Sequence, residues 1–377
     1  MNSLDPVKCL RELSLLGGVV CGVPCSGLGS LISVWRASAE WSHIAAVNEA
    51  EGVGVAAGAA VKGRSFVYLQ NSGLGYTLDG LTSLIMPCDV AVTMIVSHRG
   101  LPDIETLPQH AVAGRLTIPF FEMLNIPFAT CYESSYEAFN RAVASLPADR
   151  LSALILSPSL RWKPTTGVNM PSVSSPLSFA SSHAITSHSS RFSQLETLDA
   201  VLQRVTTEVV VTSTGYLSRQ VCSLRDRSRN IYLVGSMGLT TSFALGLDVA
   251  FGGEIGILAI DGDGSALMHL GGMATVATFG STQYRHIIMD NGVYASTGGQ
   301  PTSSPVVSFS NVARAAGYKE AANAADFVSL DSALDWLFAA DGPALLEVKV
   351  DAESSNTPRV NIVPSAQVRR LRESLLA

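Results

Sequence analysis

The chain has little charge and few cysteines, and no apolar run in it reaches membrane-spanning length. Asp, Glu, Lys and Arg make up 15% of its 377 residues, and acids outnumber bases by 31 to 25, a net charge of −6. A nucleic-acid binder needs a basic stripe, so that class is disfavoured. No apolar stretch approaches the roughly 20 residues that cross a bilayer, and no membrane partner is expected. The six cysteines (Cys9, Cys21, Cys25, Cys88, Cys131, Cys222) form no C-x-x-C pair, which argues against a zinc ribbon or a disulfide framework and for thiols buried in a reducing compartment. The first residues, MNSLDPVKCLREL, lack a signal-peptide pattern, so a cytoplasmic location is expected.

What is present is apolar sequence, 47% of the chain, enough for two cores. In the first half, GGVVCGV, SFVYLQ, VAVTMIV and LSALILS read as strands buried on both faces, which predicts a parallel sheet. EAEGVGVAAGAAVKG and SYEAFNRAVASL read as helices between them. A Ser-rich stretch with two prolines, Met170 to Phe192, then reads as a linker. The alternation restarts with EVVVTS, NIYLVGS, EIGILAIDGDG, YRHIIMDNG and PALLEVKV, with helices predicted at TTSFALGLDVAF, SALMHLGGMATVATF and NVARAAGY. The expected architecture is α/β: two doubly wound parallel-sheet domains, 1–165 and 193–377, joined by a linker over 166–192.

Four strands of the second half end in small or polar turns: Ser213-Thr214-Gly215, Gly235-Ser236-Met237-Gly238, Gly262-Asp263-Gly264-Ser265 and Asp290-Asn291-Gly292. Ligands of open α/β sheets sit at such carboxyl ends. Glycines let a phosphate approach, and a helix beginning near Ser265 would offer N–H donors. Asp263 and Asn291, 28 positions apart, are hard oxygen donors of the kind Mg²⁺ uses beside a diphosphate. A competing dinucleotide fingerprint, GVGVAA (Gly52 to Ala57), follows two acids and lacks a ribose-binding acid near position 72; it reads as close helix packing. His269 and His286 lie among apolar residues and read as structural, and the linker histidines His183 and His188 as solvated.

Gly262-Asp263-Gly264 followed by Asn291 resembles the cofactor motif of thiamine-diphosphate-dependent enzymes. The resemblance implies thiamine diphosphate bound with Mg²⁺, the metal held by Asp263, Asn291 and the backbone carbonyl of Val293. Ser213, Thr214, Gly235, Ser236, Gly262, Gly264 and Ser265 would line the cofactor, with Met237 bending it into its V shape. It also implies a glutamate facing the aminopyrimidine. In AAVNEAEGVGVAAGAA that residue is Glu49, with Glu51 as the alternative. Without a middle domain, the chain is similar to the small two-domain decarboxylases of phosphonopyruvate and sulfopyruvate. GVPCSGL, LQNSGLGYTLDGLTSL, RGLP…PQH…GR, TSTGYLSR, VGSMG and MDNGVYASTGGQPT carry that likeness.

The resemblance further implies decarboxylation of 3-phosphonopyruvate to phosphonoacetaldehyde and CO₂, in phosphonate biosynthesis. The alternatives are another 2-oxo acid, such as sulfopyruvate, or an acyloin-forming ligation. Ser72 and Gly73 join the cofactor set. Ser26, Arg99, Gln109, His110 and Tyr294 form the substrate set, Arg99 and His110 with catalytic roles; His98 and Arg115 are further candidates for the anionic group. A homodimer or larger assembly with shared active sites is expected. Where the family pattern has acids, in W-R-G-E-P, D-E-P-Q-H and H-E-S-T, this chain has Leu101, Leu107 and Ala295.

Overall fold

The computed structural model describes residues 3–14, 18–101, 104–105, 107–164, 191–352 and 356–377. The chain divides into two compact units, Met1–Val173 and Ser174–Ala377. Most of the expected linker, 166–190, and with it His183 and His188, lies outside the described residues. Its last two residues join the second unit: the Phe192 N–H donates to the Lys349 carbonyl at 3.1 Å, and Arg191 Nη1 donates to the carbonyls of Asn291 and Val350, each at 3.2 Å.

The first unit is a six-stranded sheet of β1 (Val19–Gly22), β2 (Ser42–Ala45), β3 (Ser65–Gln70), β4 (Val92–Ser97), β5 (Phe128–Cys131) and β6 (Ser152–Leu156). All pairings are parallel, in the order β2-β1-β3-β4-β6-β5. The second unit has β7 (Val209–Thr212), β8 (Asn230–Tyr232), β9 (Ile257–Gly262) and β10 (Tyr284–Asp290). A small antiparallel hairpin, β11 (Val293–Tyr294) with β12 (Gln300–Pro301), follows, then β13 (Glu320–Asn323) and β14 (Ala344–Lys349). Its main sheet is also parallel, in the order β13-β14-β10-β9-β7-β8. Counted from its own first strand, this is the topology of the first unit read from the other edge. The expected fold class, two doubly wound parallel sheets, is what the chain forms.

The central strands β4 and β10 are buried at every residue, as continuous apolar runs between helical layers require. In the first unit Trp35 stacks on Tyr68 with ring centroids 5.5 Å apart, both inside the core. In each sheet the chain reverses direction once beside the first strand, between β1 and β3 and between β7 and β9. The helices diverge there and open a crevice at the carboxyl ends of the strands.

Two expectations are corrected. Three strands, β2, β5 and β13, were not anticipated, nor was the β11–β12 hairpin. SALMHLGGMATVATF is two helices, Asp263–Met268 and Gly272–Phe279, because the glycine pair Gly271-Gly272 favours a break over continued helix.

Candidate active site

In the second unit the chemistry gathers at the reversal between β7 and β9. The turns after β7, β8, β9 and β10 lie at the carboxyl ends of four adjacent strands, and one cleft is lined by Ser213, Thr214, Met237, Gly262, Asp263, Gly264, Ser265, Asn291, Val293 and Tyr294. The helix after β9 begins at Asp263, two residues earlier than expected, so Asp263 sits in its first turn, where the helix dipole favours a carboxylate. Asp263 is 2% exposed. Its Oδ2 accepts a hydrogen bond from Thr302 Oγ1. Burial pushes the Asp263 carboxyl up; the Thr302 bond opposes this and the nearby Asp290 reinforces it. A buried carboxylate that lines this cleft suits a cation that arrives with a phosphate.

Asn291 Oδ1 accepts from the Val293 N–H at 2.9 Å, which folds the loop so that both residues face the cleft. The amide oxygen keeps a second lone pair. Behind it, Asp290 is buried and accepts from Ser304 Oγ at 2.7 Å and from Lys349 Nζ. Thr302 and Ser304 therefore fasten the segment after β12 to the two acids flanking the cleft.

Met237 stands in a turn whose neighbours both have left-handed backbones, Ser236 at φ 50° and Gly238 at φ 94°. For a serine this conformation is uncommon and costs free energy. A side chain at Gly238 would meet His269 Cδ2 at 2.4 Å, and the Gly238 N–H donates to Ser265 Oγ at 3.0 Å. The Met237 turn is thus locked onto the helix that starts at Asp263. His269 packs against this turn. A side chain at Gly264 would meet the Tyr294 ring at 2.3 Å, so Tyr294 lies against the GDG turn.

In the first unit, Glu49 and Glu51 separate cleanly. The helix Glu49–Ala59 is capped by Asn48, whose side chain accepts from the Glu51 N–H at 2.9 Å. Glu51 is 1% exposed and accepts from the Val47 N–H at 2.5 Å, so its carboxylate closes the helix start. Glu49, half-buried, lies against Gly73: a Cβ there would come within 2.2 Å of Glu49 Oε1. GVGVAA lies inside this helix, not in the turn before it. Gly52 approaches β1 closely, its missing Cβ 3.5 Å from Gly22 Cα. These glycines pack a helix and cannot cradle a pyrophosphate.

Around Arg99 a pocket is lined by Ser26, Gly27, Arg99, Ile104, Glu105, Pro158 and Ser159. Asn71 pins the arginine's backbone, accepting from its N–H at 3.1 Å and donating to its carbonyl at 2.8 Å. Arg99 Nη1 donates to Ser26 Oγ at 3.1 Å. Gln109 and Arg115 are exposed on the helix Pro108–Met123 and His110 is half-buried at its start; none of the three lines the Arg99 pocket.

His98 is corrected from a candidate anion ligand to a brace. It is buried, with Nδ1 2.9 Å from Tyr132 Oη and Nε2 2.8 Å from the Gly114 carbonyl, and burial lowers its pKa. Sequence reasoning missed Asn71, Glu105, Thr302 and Ser304. Asn71 and Thr302 stand inside QNSGLG and STGGQPT, the two segments most specific to the resemblance. Glu105 stands two residues before Leu107, where the family pattern has an acid.

Residues 213–348 match the family model of the thiamine pyrophosphate enzyme, C-terminal TPP binding domain. The chain is 33% identical to phosphonopyruvate decarboxylase of Streptomyces viridochromogenes, over 94% of this chain and 90% of that one. It is 24% identical to sulfopyruvate decarboxylase of Methanosarcina acetivorans, over 100% and 99%. Among solved structures, benzoylformate decarboxylase from Polynucleobacter necessarius is similar in fold, with a TM-score of 0.69 at 11% identity, over 94% of this chain and 100% of that one.

Proposed function

We propose the following reaction for this chain, which belongs to the thiamine-pyrophosphate-dependent phosphonopyruvate decarboxylase family: it removes CO₂ from 3-phosphonopyruvate and releases phosphonoacetaldehyde. The carrying observation in the geometry is the second unit's cleft, where buried Asp263 and the folded Asn291–Val293 loop sit beside the locked Met237 turn. Thiamine diphosphate, when bound, supplies an electron sink for the pair left behind as CO₂ departs.

The residues fit that group. Asp263, Asn291 and the Val293 carbonyl would hold Mg²⁺, an all-oxygen set suited to a hard cation. Ser213, Thr214, Gly235, Ser236, Gly262, Gly264 and Ser265 would surround the diphosphate, and Met237 would support the bend. Glu49, placed beside Ser72 and Gly73, would hold and return a proton at the aminopyrimidine ring. The role of Glu49 is supported by Glu51 being occupied at the helix cap. Ser26 and Arg99 would meet the 2-oxo acid, Arg99 giving N–H donors to its anionic tail; of the other expected substrate residues, Gln109 and His110 stand outside the Arg99 pocket and Tyr294 lines the second unit's cleft.

We read the protein as at least a homodimer with shared sites, located in the cytoplasm. All six cysteines are free thiols, which supports a reducing location. Among the described residues no helix is long and apolar enough to cross a membrane. Mixing Glu49→Gln with Asn291→Ala chains tests the sharing. If each site draws one residue from each chain, about a quarter of wild-type activity returns; no recovery on subunit exchange sinks that arrangement.

A second reading keeps the cofactor and changes the acid to sulfopyruvate or another 2-oxo acid, or ends in carboligation. Leu101, Leu107 and Ala295, standing where the family has acids, favour it. A panel of 2-oxo acids assayed for CO₂ release, with products identified, decides between them. Phosphonopyruvate should turn over fastest, and its failure to react would overturn the first reading.

A further inference from the structure

Arg99 is not a bare cation. Its Nε donates to both oxygens of Glu105, each at 2.8 Å, and its Nη2 donates to Oε1 as well. The Gly100 N–H donates to Glu105 Oε2 at 2.8 Å. These bonds push the Glu105 carboxyl down to about 2, so the acid is ionised throughout the physiological range. The pair occupies the Nε–Nη2 edge of the guanidinium. The remaining edge, Nη1, points to Ser26 Oγ on the wall of the pocket that Ser159 and Gly27 complete. The arginine's backbone is fixed independently by Asn71.

We propose that Glu105 is a positioning residue that holds Arg99 as a one-edged receptor for the anionic tail of the 2-oxo acid, and so sets which tails the pocket accepts. This rests on reading the site as that of a 2-oxo acid decarboxylase. The physical case has two parts. A long arginine side chain loses much rotamer freedom when it binds a ligand, and a bidentate carboxylate removes that freedom in advance. The pair also carries no net charge, so the tail is recognised by directed N–H and O–H donors and not by an unopposed positive charge. Glu105 is thereby favourable to an anionic ligand only through Arg99. With Arg99 absent, the same carboxylate would repel the tail.

The sign of the Glu105 effect therefore depends on residue 99, which gives the test. Glu105→Gln and Arg99→Met are made singly and together. The KM and kcat for phosphonopyruvate are measured, with the inhibition constant of 2-oxobutanoate, which keeps the 2-oxo acid head and lacks the anionic tail. Glu105→Gln should raise KM about tenfold or more, with kcat within about threefold of wild type and the inhibition constant unchanged. In the Arg99→Met background the same substitution should lower KM. Glu105→Asp, which keeps a carboxylate, should recover part of the lost affinity.

A rise in KM of equal size in both backgrounds, or an equal loss for 2-oxobutanoate, would assign Glu105 to folding alone and overturn the proposal. So would an unchanged KM in both backgrounds. Thermal unfolding and thiamine diphosphate affinity of each variant separate a fold defect from a pocket defect. Failure of the underlying reading looks different: wild-type protein would then release no CO₂ from any 2-oxo acid with an anionic tail, and the inference would fall with it.

Discussion

The carboxyl of Glu49 occupies the space that any side chain at Gly73 would need, with Oε1, Cδ and Cγ all within 2.5 Å of where that Cβ would lie. Gly73 follows the end of β3 and Glu49 opens the helix after β2, so two separate turns meet at one atom-sized gap. The Gly73 side is held, because Asn71, two residues before it, is bonded to Arg99 and Thr117, so the Glu49 side chain is the part that gives. Gly73→Ala should therefore move the Glu49 carboxyl while leaving the sheet intact. The expected result is a fall in kcat of about a hundredfold or more, with a circular dichroism spectrum like that of wild type. Full activity in Gly73→Ala would show that the position of Glu49 is immaterial.

Glu49→Gln and Glu51→Gln should fail in different ways. Glu51 ties down the Val47 N–H at the start of a buried helix. Its replacement should cost about 1.5–3 kcal/mol of stability, the range for hydrogen bonds to charged groups, seen as a lower urea midpoint. Glu49→Gln should keep the midpoint within error and lower kcat by about 10²–10⁴-fold. Equal losses of turnover with equal losses of stability would erase the distinction between the two acids.

The places where the sequence was silent have a common physical origin. The three strands that escaped notice, β2, β5 and β13, are all sheet edges, each with exposed or half-buried positions. An edge strand covered on one side needs no continuous apolar run, so SHIA, FATC and EAAN carry no strand signal. The remaining edge, β8, is buried throughout and was legible. The cofactor turns were legible because a phosphate and a metal demand particular residues at strand ends. The partners of those residues were not. Thr302 reaches Asp263 across 39 positions and Asn71 reaches Arg99 across 28, and no local spacing announces such a bond. Glu105 is hidden by its register: the family's acid aligns with Leu107, and this carboxylate stands two residues earlier.

Thr302→Val removes the hydroxyl that holds Asp263 Oδ2 and preserves side-chain volume. Partners behind a metal ligand commonly control affinity by about 10–100-fold. Mg²⁺ or Mn²⁺ titration in the presence of thiamine diphosphate, followed by calorimetry, should show the apparent metal affinity falling by about that factor. Unaltered affinity would mean that the Thr302 bond does not orient Asp263. Ser304→Ala, which frees Asp290, serves as the comparison and should have a smaller effect, since Lys349 still pairs with that carboxylate.

One step inside the GDG turn, Asp261 and His286 form a buried pair with opposite pH signatures. They are 1% and 0% exposed, with Oδ2 and Nε2 4.0 Å apart. Burial pushes Asp261 up to about 6 and His286 down to about 3. Between pH 4 and 6 the folded state holds a proton on Asp261 that the unfolded chain has largely released, so this residue's contribution to stability declines as pH rises. Over the same range the unfolded chain protonates a histidine that the folded state keeps neutral, so the contribution of His286 grows as pH rises. Each changes by up to one proton, about 1.4 kcal/mol per pH unit, and in the wild type they oppose. Asp261→Asn keeps the acceptor used by Thr240 and deletes one half of the balance. Urea unfolding from pH 6 to pH 4 should then show the variant losing stability relative to wild type as the pH falls, with a difference approaching one proton in slope. A difference that is flat across this range would place the ionisation of Asp261 outside it.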